Sequence, residues 1–423
     1  MSRSGGGAAA PLDGVRVVEI ANWMAAPGAT ALLADLGADV IKVEPPGGDA
    51  MRGVTRQPKL PDGTAIDASF EVDNRGKRSI AIALDRPESA ELVRRLVAQA
   101  DVLVLNLLGG RQHRFGLDAE TLMALNPRLV HATLTGYGLE GPDAERPGYD
   151  ITAFFGRGAI THSITEPDGV APRSRPAQGD HAAALALVAS ILAALRLVER
   201  TGEGQVIDSN LLATAAWTMA TDLSGTLVDG RDPPTRGRRN RIHALQESFR
   251  CADDRYILLF MPEPHWWPKF CAVVGREEWI EDPRFASVPA RAEHMDEITD
   301  LMDEQFATRS MAEWGSRFDE AGFTWGPAST VSELADDPQA AALDLFPVIE
   351  HPVAGAQRTV AGPLRIRGAN IGPRGPAPQV GQHTSAVLDE LGLSPDEVSD
   401  LVGAGVVGPA QGRAQRFGGS ERA

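Results

Sequence analysis

Short apolar segments alternate with helical segments through the first third of the chain, and this alternation strongly limits the possible fold. Strand-like and helical runs follow one another at residues 15–20, 29–37, 39–44, 79–84, 87–100, 101–106 and 129–134. Apolar strands separated by helices are typical of parallel sheets, because each parallel connection crosses the sheet and covers one of its faces. The sequence therefore predicts an α/β fold with a doubly wound parallel sheet.

The pattern changes after residue 230. Residues 231–241 are basic, contain two prolines and have no periodicity, which indicates a linker. A strand-like run at 256–261 and several helical runs follow, so we predict a small α/β domain at 242–335. The chain ends, 1–10 and 408–423, are predicted to be flexible tails.

Composition excludes several classes of function. The 423 residues carry a net charge of −16, which argues against nucleic-acid or anionic-membrane partners. The longest apolar run, 182–195, is shorter than the roughly 20 residues that span a bilayer, so it is interpreted as a core helix. The start lacks a signal-peptide core, and Cys251 and Cys271 have no metal-binding spacing. We expect a cytoplasmic protein with reduced thiols and no metal site.

One glycine motif has the spacing of a dinucleotide-binding loop. It runs from Gly136 to Gly141 after a predicted strand, but Pro142 follows instead of a helix. Without a helix N-terminus there is no dipole to hold a pyrophosphate. A glycine turn is therefore favoured over NAD binding.

Asp180 follows Gly179 at the start of the apolar run. A carboxylate in this position can cap the helix by accepting its first N–H groups. It can also be reactive, because the helix dipole favours the anion and nearby amides can bind an oxyanion. Taken alone, the residue is better explained as a cap.

Two basic groups lie near strands of the predicted sheet. One comprises Arg75, Lys77 and Arg78, and the other spans 111–114 after the strand that ends at Asn106. Solvated loop charge explains most such runs, but loops after parallel strands form ligand crevices, so an anionic, nucleotide-like ligand stays open as an alternative. Phe115, beside Arg114, can stack on a base.

Several blocks, in fixed order and spacing, cover most of the chain. They lie at 11–17, 33–44, 74–79, 134–138, 148–150, 179–180, 200–205, 381–384 and 387–392. Together they resemble the family III CoA-transferases, the group of formyl-CoA and carnitine CoA-transferases. The resemblance runs from about residue 11 to 407.

The resemblance implies that Asp180 is a nucleophile that attacks an acyl-CoA thioester. An aspartyl anhydride and an aspartyl-CoA thioester follow, and CoA then passes to a free carboxylic acid. It places the Gly179 backbone in the oxyanion region, and Tyr149 and Asp150 near the thioester. Positions that match CoA contacts are Asn22, Trp23, Met24, Lys77, Asn106, Arg114 and Phe115. CoA thioester is a substrate, and no tightly bound cofactor is implied.

The resemblance also implies a fold and an assembly. A Rossmann-like large domain would comprise 11–230 and 336–407, with its parallel sheet formed from both chain ends. The small domain would be inserted into it, and two subunits would interlock as a homodimer.

Two other functions stay open from the sequence. An acyl-CoA isomerase or racemase would use Asp180 and Asp150 for α-proton transfer. The related α-methylacyl-CoA racemase carries His where this chain has Tyr149, which favours a transferase. A non-catalytic acyl-CoA binder is the second alternative. In the small domain, 261–267 lacks the glycine-rich loop of formyl-CoA transferases, and its aromatic residues either line an acyl pocket or pack in the core.

Overall fold

The chain forms two compact units in a computed structural model that describes residues 8–55, 57–167, 169–234 and 237–408. The first unit combines the chain up to Thr161 with Arg173–Ser224 and the chain from Ala341 onward. The second combines His162–Pro172 with Gly225–Ala340. Most of each predicted tail, 1–7 and 409–423, lies outside the described residues.

The elements up to residue 229 contain the predicted alternation of strands and helices. They are β1 (Arg16–Ile20), α1 (Ala25–Asp35), β2 (Asp39–Glu44), α2 (Ala68–Asn74), β3 (Arg78–Ala81), α3 (Ser89–Ala98), β4 (Val102–Leu105), α4 (Gly109–Phe115), α5 (Ala119–Leu125), β5 (Val130–Thr135), a π-helical segment (Ile151–Arg157), α6 (Ile160–Ser163), α7 (Gln178–Thr201), β6 (Gln205–Asn210), α8 (Leu211–Thr218) and α9 (Ala220–Asp229).

The remaining elements complete the second unit and return to the first. They are β7 (Gln246–Arg250), β8 (Tyr256–Phe260), α10 (Trp266–Val274), α11 (Glu278–Glu281), α12 (Val288–Glu293), α13 (Met295–Phe306), α14 (Met311–Ala321), β9 (Trp325–Pro327), α15 (Val331–Ala335), α16 (Pro338–Ala342), β10 (Val348–His351), β11 (Gly355–Arg358), α17 (Thr384–Glu390) and α18 (Pro395–Gly403).

Within the described residues, the first unit contains a parallel six-stranded sheet in the order β3-β2-β1-β4-β5-β6. Alternate residues of each central strand enter two separate cores, because successive side chains point to opposite faces. Val17 packs with α1 and α7, whereas Val18 packs with α3, α5 and α17. These strands are buried on both faces, as the sequence indicated, although β1 and β2 also bury the charged residues Glu19 and Lys42.

The predicted contribution of both chain ends to this sheet is wrong. Its six strands all come from residues 16–210, and the C-terminal stretch adds only an isolated bridge between Ile82 and Val407 among the described residues. Strands β10 and β11 pair with each other as an antiparallel hairpin instead. The edge strand β6 was missed because four of its six residues are polar.

Helix α7 contains the predicted apolar run and is longer than that run, with 24 residues. Ala183, Leu187 and Ile191 lie on its buried face, which packs in the core with α1. By length and composition alone the helix is also sufficient to cross a membrane, a criterion that buried core helices meet as well. Its position in the core agrees with the interpretation as a core helix.

The second unit has its own aromatic core beneath the antiparallel sheet β7-β8-β9. Among the several helices that follow β8, as the sequence predicted, α12 and α13 meet at His294. Segment 162–172 groups with this unit rather than with the large domain in which the sequence had placed it. The amide of Arg238 donates to Glu166 Oε2 at 3.3 Å, which connects the two parts of the unit.

The glycine motif after β5 leads into turns, with Gly138 and Gly141 at positive φ. No helix follows it directly within these described residues, in agreement with the glycine-turn interpretation.

Candidate active site

Asp180 lies in the first turn of α7, not at its cap. The N-cap residue is Ala177, in the left-handed region at φ 75°, and no side chain caps the helix. The expectation from Asp180 alone, that it caps the helix, is therefore wrong. A non-glycine residue in this conformation is strained by about 1–3 kcal/mol, so surrounding contacts must hold the turn in place.

Gly179 allows the start of α7 to approach the π-helical segment. A Cβ at residue 179 would lie 2.7 Å from Cγ of Phe154, closer than side chains can pack. Phe154 is itself buried in the core against α7. Glycine is required here because of this close approach, and the contact sets the position of the turn that carries Asp180.

Asp150 lies beside this turn and is almost completely buried. It occupies the N-cap position of the π-helical segment without making a side-chain cap bond. Its Oδ2 is buried and has no hydrogen-bond partner among the described residues. Burial raises the pKa of Asp150, although the amides of Ile151, Ala177 and Gly179 act in the opposite direction. The Asp150 side chain therefore does not cap the helical segment that follows it.

Asp180 is a perturbed carboxyl group. Burial, followed by the neighbouring charges of Asp150 and Asp73, raises its pKa to about 7, while His181 acts against this increase. Perturbed carboxyl groups of this kind are common at reaction centres. A group that ionises near neutral pH can serve as a nucleophile or exchange a proton.

The structure adds two residues to the site to which the sequence analysis gave no role. His181 Nε2 lies 3.0 Å from Oδ1 of Asp73, whose side chain is only 3% exposed. Asp73 lies in α2, just before the basic group of Arg75, Lys77 and Arg78. His181 directly follows Asp180, and this adjacency was the available signal.

Five predicted residues lie in the loops after β1 and β4 or beside them. Asn22 and Asn106 hydrogen-bond to each other across the two loops. The ring of Trp23 meets that of Tyr149 edge-on at 5.4 Å, and Tyr149 is 54% exposed. This contact connects the first strand-exit loop to the residue that precedes Asp150. Met24, the fifth member, packs with Trp23 against Met51 and Phe70.

Arg114 and Phe115 end α4, where they line a separate cavity of about 260 Å³ with Arg86. The guanidinium of Arg114 lies 5.6 Å from the centroid of the Phe115 ring. Arg86 was not singled out from the sequence, because it lies in a short turn after the third predicted strand. Two cations and an aromatic ring fit an anionic ligand that carries a base.

The other basic group, Arg75, Lys77 and Arg78, forms ion pairs with carboxylates of the same unit. Lys77 has no exposed side-chain surface, and its Nζ contacts Glu19 Oε2 at 2.7 Å and Asn74 Oδ1 at 2.9 Å. Arg75 pairs with Asp35, and Arg78 with Asp39. Direct contact between Lys77 and CoA, which the resemblance implied, does not fit this enclosure. The ion pairs could not be found from the sequence because their partners are distant along the chain.

The residues at 261–267, for which two alternatives stayed open, divide between core and surface: His265 is exposed and Trp267 is buried. Trp267 is 3% exposed and stacks with Trp279 in the core of the second unit.

Within the described residues, no group of three or more His, Cys, Asp or Glu side chains is placed to hold a metal ion.

Comparison with known proteins identifies the family. The model of "CoA-transferase family III" matches residues 12–384. The chain is 32% identical to the (R)-2-hydroxy-4-methylpentanoate CoA-transferase of Clostridioides difficile, over 94% of this chain and 99% of that protein. It is 34% identical to the succinate–glutarate CoA-transferase of Agrobacterium fabrum, over 90% and 96% of the two chains.

A solved structure gives the same result for the fold. The crystal structure of a CaiB/BaiF family protein from Brucella suis matches with a TM-score of 0.82 and 33% identity, covering 90% of this chain and 100% of that one. From its sequence and its fold, this chain belongs to family III of the CoA-transferases.

Proposed function

We propose that this CoA-transferase moves CoA from an acyl-CoA donor to a free carboxylic acid through covalent intermediates on Asp180. The observation that carries the proposal is the position of Asp180, in the first turn of α7 beside the buried Asp150, with a pKa raised to about 7. A carboxylate that is ionised for an appreciable fraction of the time near neutral pH is available for attack. Its raised pKa also makes it more basic than an exposed aspartate.

The reaction has four balanced steps. The Asp180 carboxylate attacks the thioester carbonyl, the C–S bond breaks, and an acyl-aspartyl anhydride and CoA thiolate form. The thiolate attacks the aspartyl carbonyl and releases the donor acid, which leaves aspartyl-CoA thioester. The acceptor carboxylate attacks that thioester to give a second anhydride and thiolate. The thiolate then attacks the acceptor acyl carbonyl, which releases the new acyl-CoA and the Asp180 carboxylate.

The first turn of α7 supports these steps electrostatically. Gly179 has its amide next to the nucleophile, at the positive end of a 24-residue helix. Amides in this position favour the charge that develops on a carbonyl oxygen during attack. Tyr149, half exposed beside Trp23, is proposed to contact the thioester region.

CoA is proposed to bind in two places. The end of CoA nearest the thioester is assigned to the loops after β1 and β4, which contain Asn22, Trp23, Met24 and Asn106. Arg114 and Phe115, with the additional Arg86, line the 260 Å³ cavity and are assigned to its nucleotide end. The charges of these arginines suit phosphate groups, and the ring suits a base.

The substrates are proposed to be two carboxylic acids and their CoA thioesters. The Clostridioides difficile relative is named for a hydroxylated, branched acid, and the Agrobacterium fabrum relative for two dicarboxylic acids. Both relatives are named as CoA-transferases of carboxylic acids. We propose the same type of reaction for this chain. No tightly bound cofactor is proposed, because each step uses only Asp180, the acids and CoA.

A homodimer in the cytoplasm is also proposed. In the first unit, Trp217 is 80% exposed and Leu197 is 42% exposed, on α8 and α7 respectively. Large exposed apolar side chains are common at subunit interfaces. The two cysteines are buried and unpaired, which suits a reducing compartment. Light scattering of the purified protein tests the dimer, and a molar mass near one chain would exclude it.

The covalent mechanism is tested by trapping the adduct. Purified protein is incubated with succinyl-CoA or acetyl-CoA and quenched, and its intact mass and the peptide that contains Asp180 are measured. We expect a CoA-sized increase on that peptide in the wild type and in the control Asp62→Asn, which changes an exposed loop carboxylate. Asp180→Asn should show no adduct and no turnover.

The same samples distinguish the alternatives. Exchange of the α-proton with deuterated solvent, without an acceptor acid and without an adduct, would support an isomerase. CoA binding that survives Asp180→Asn, with no turnover in either protein, would support a binder. Normal turnover by Asp180→Asn would exclude the proposed mechanism.

A further inference from the structure

Asp73 and His181 form a contact between two helices directly beside Asp180. His181 lies in the first turn of α7 and points its Nε2 at Oδ1 of Asp73, at 3.0 Å. The Asp73 side chain is 3% exposed, whereas that of His181 is 50% exposed. One partner is therefore fixed in the interior and the other faces the site.

The surrounding structure is built to accommodate this contact. A Cβ on Gly28 of α1 would lie 3.2 Å from Asp73 Oδ1 and 3.6 Å from His181 Cδ2. A larger residue at 28 would press on both partners, so glycine leaves the space that they occupy. Lys77 Nζ donates to the backbone oxygen of Asp73 at 2.7 Å, which secures the end of α2. Helices α1, α2 and α7 thus converge on the pair.

The charges around Asp180 are unbalanced without His181. The charges of Asp150 and Asp73 both raise the pKa of Asp180, and His181 is the neighbouring group that opposes them. The hydrogen bond to Asp73 is the main cause that raises the pKa of His181; burial and the charge of Arg75 act against it. Arg75 is itself paired with Asp35.

We propose that Asp73 and His181 are positioning residues for the nucleophile: Asp73 holds His181 as an imidazolium, and this charge keeps Asp180 ionised for attack on the thioester. A lone Asp180 between two other carboxylates would hold its proton more tightly. It would then be a poor nucleophile at neutral pH. This inference rests on the proposed covalent role of Asp180.

The first test measures the rate of adduct formation on Asp180 against pH in the wild type and in His181→Gln. Glutamine can still donate to Asp73 but carries no charge. The half-maximal rate should move to higher pH by about one unit, so the rate at pH 6 falls roughly tenfold while the rate at pH 9 changes little. His181→Lys, which restores a cation, should recover part of the loss.

The second test does not depend on activity. The imidazole Cε1–H signal of His181 is followed by NMR across pH and is assigned by its loss in His181→Gln. Asp73→Asn keeps the shape of the side chain and removes its charge, so the titration midpoint of His181 should fall. His294→Gln, at a partly exposed histidine of the second unit that pairs with Glu297, serves as the control and should leave the midpoint unchanged.

These outcomes separate the two levels of the argument. An equal loss of rate at every pH in His181→Gln, or an unchanged midpoint in Asp73→Asn, would overturn the positioning role even if Asp180 forms its adduct. Absence of any adduct in the wild type would instead overturn the proposed mechanism, whatever the histidine titration shows.

Discussion

The side chain of Asn106 is joined twice to the backbone of Asn22. Its Oδ1 accepts from the Asn22 amide at 3.2 Å, and its Nδ2 donates to the Asn22 carbonyl at 2.7 Å. The two residues follow β4 and β1, which are neighbours in the sheet. The bonds therefore hold the loop in which Trp23 adopts a positive φ of 70° and meets Tyr149.

Replacing Asn106 with alanine should loosen this loop. Two hydrogen bonds are lost, at a cost of about 1–3 kcal/mol in the free energy of unfolding. Because Trp23 and Met24 follow Asn22, we expect KM for acyl-CoA to increase more than kcat decreases. Steady-state kinetics and urea unfolding measure both effects. Asn106→Asp, which keeps the acceptor but loses the donor, should be intermediate, and unchanged kinetics in both variants would contradict the assigned role.

Gly179→Ala should damage the site through packing. The added methyl would collide with Phe154, and overpacking of this kind costs about 1–3 kcal/mol. Because the displaced turn carries Asp180, kcat should fall by more than the loss of folded protein alone would explain. Combining the change with Phe154→Ala, which removes Cγ and Cδ1 and keeps only Cβ of the three nearest atoms, should recover part of the activity. A fully active Gly179→Ala variant would show that the close contact is dispensable.

Asp180→Asn should stabilise the protein at high pH while it removes activity. The folded-state pKa of Asp180, about 7, lies above its ordinary value of 3.8, so ionisation between these values costs the wild type stability. Asparagine avoids that cost. We expect equal stability near pH 4 and an advantage of roughly 1–3 kcal/mol for the variant above pH 7, after allowance for partial exposure. Denaturant unfolding at several pH values measures the difference, and an equal difference at pH 4 and pH 8 would refute the assignment.

Lys77→Met should affect folding rather than CoA binding alone. The change leaves Glu19 with one fewer cation in a fully buried network that also contains Lys42. Breaking a buried ion pair costs about 3–5 kcal/mol. Thermal unfolding should show a large loss, whereas Lys59→Met, at an exposed lysine, should not. Normal stability combined with lost CoA affinity would restore Lys77 as a direct CoA contact.

Arg114→Ala should weaken CoA binding and reduce its dependence on salt. The guanidinium lines the 260 Å³ cavity assigned to the nucleotide end. Loss of one charge–phosphate contact should raise the dissociation constant by about tenfold. Calorimetry with CoA at two salt concentrations measures this, and Arg94→Ala on the exposed side of α3 is the control. Equal affinity in all three proteins would remove Arg114 from the site.

The sequence was informative where a local pattern is enough. A strand such as β4 is a short apolar run flanked by helical segments, and its parallel arrangement follows from those connections. The block that contains Gly179 and Asp180 was recognisable because the reacting residue and its glycine are adjacent. The family followed from the order of such blocks.

Other features could not be predicted from a local sequence pattern. The edge strand β6 is mostly polar and lacks a strand pattern, so it exists because β5 offers a partner. The cations at 75–78 look like a ligand site in the sequence, but distant carboxylates neutralise them.

The sequence by itself determined the α/β class, the family and the identity of the candidate nucleophile, because each depends on residues that are close along the chain. Only the tertiary structure decided which charges are free and which are paired. Asp73 and His181 are 108 positions apart, and Lys77 lies 58 positions from Glu19. Charge interactions depend on distance in space and on burial, and both arise only when the helices pack around the sheet.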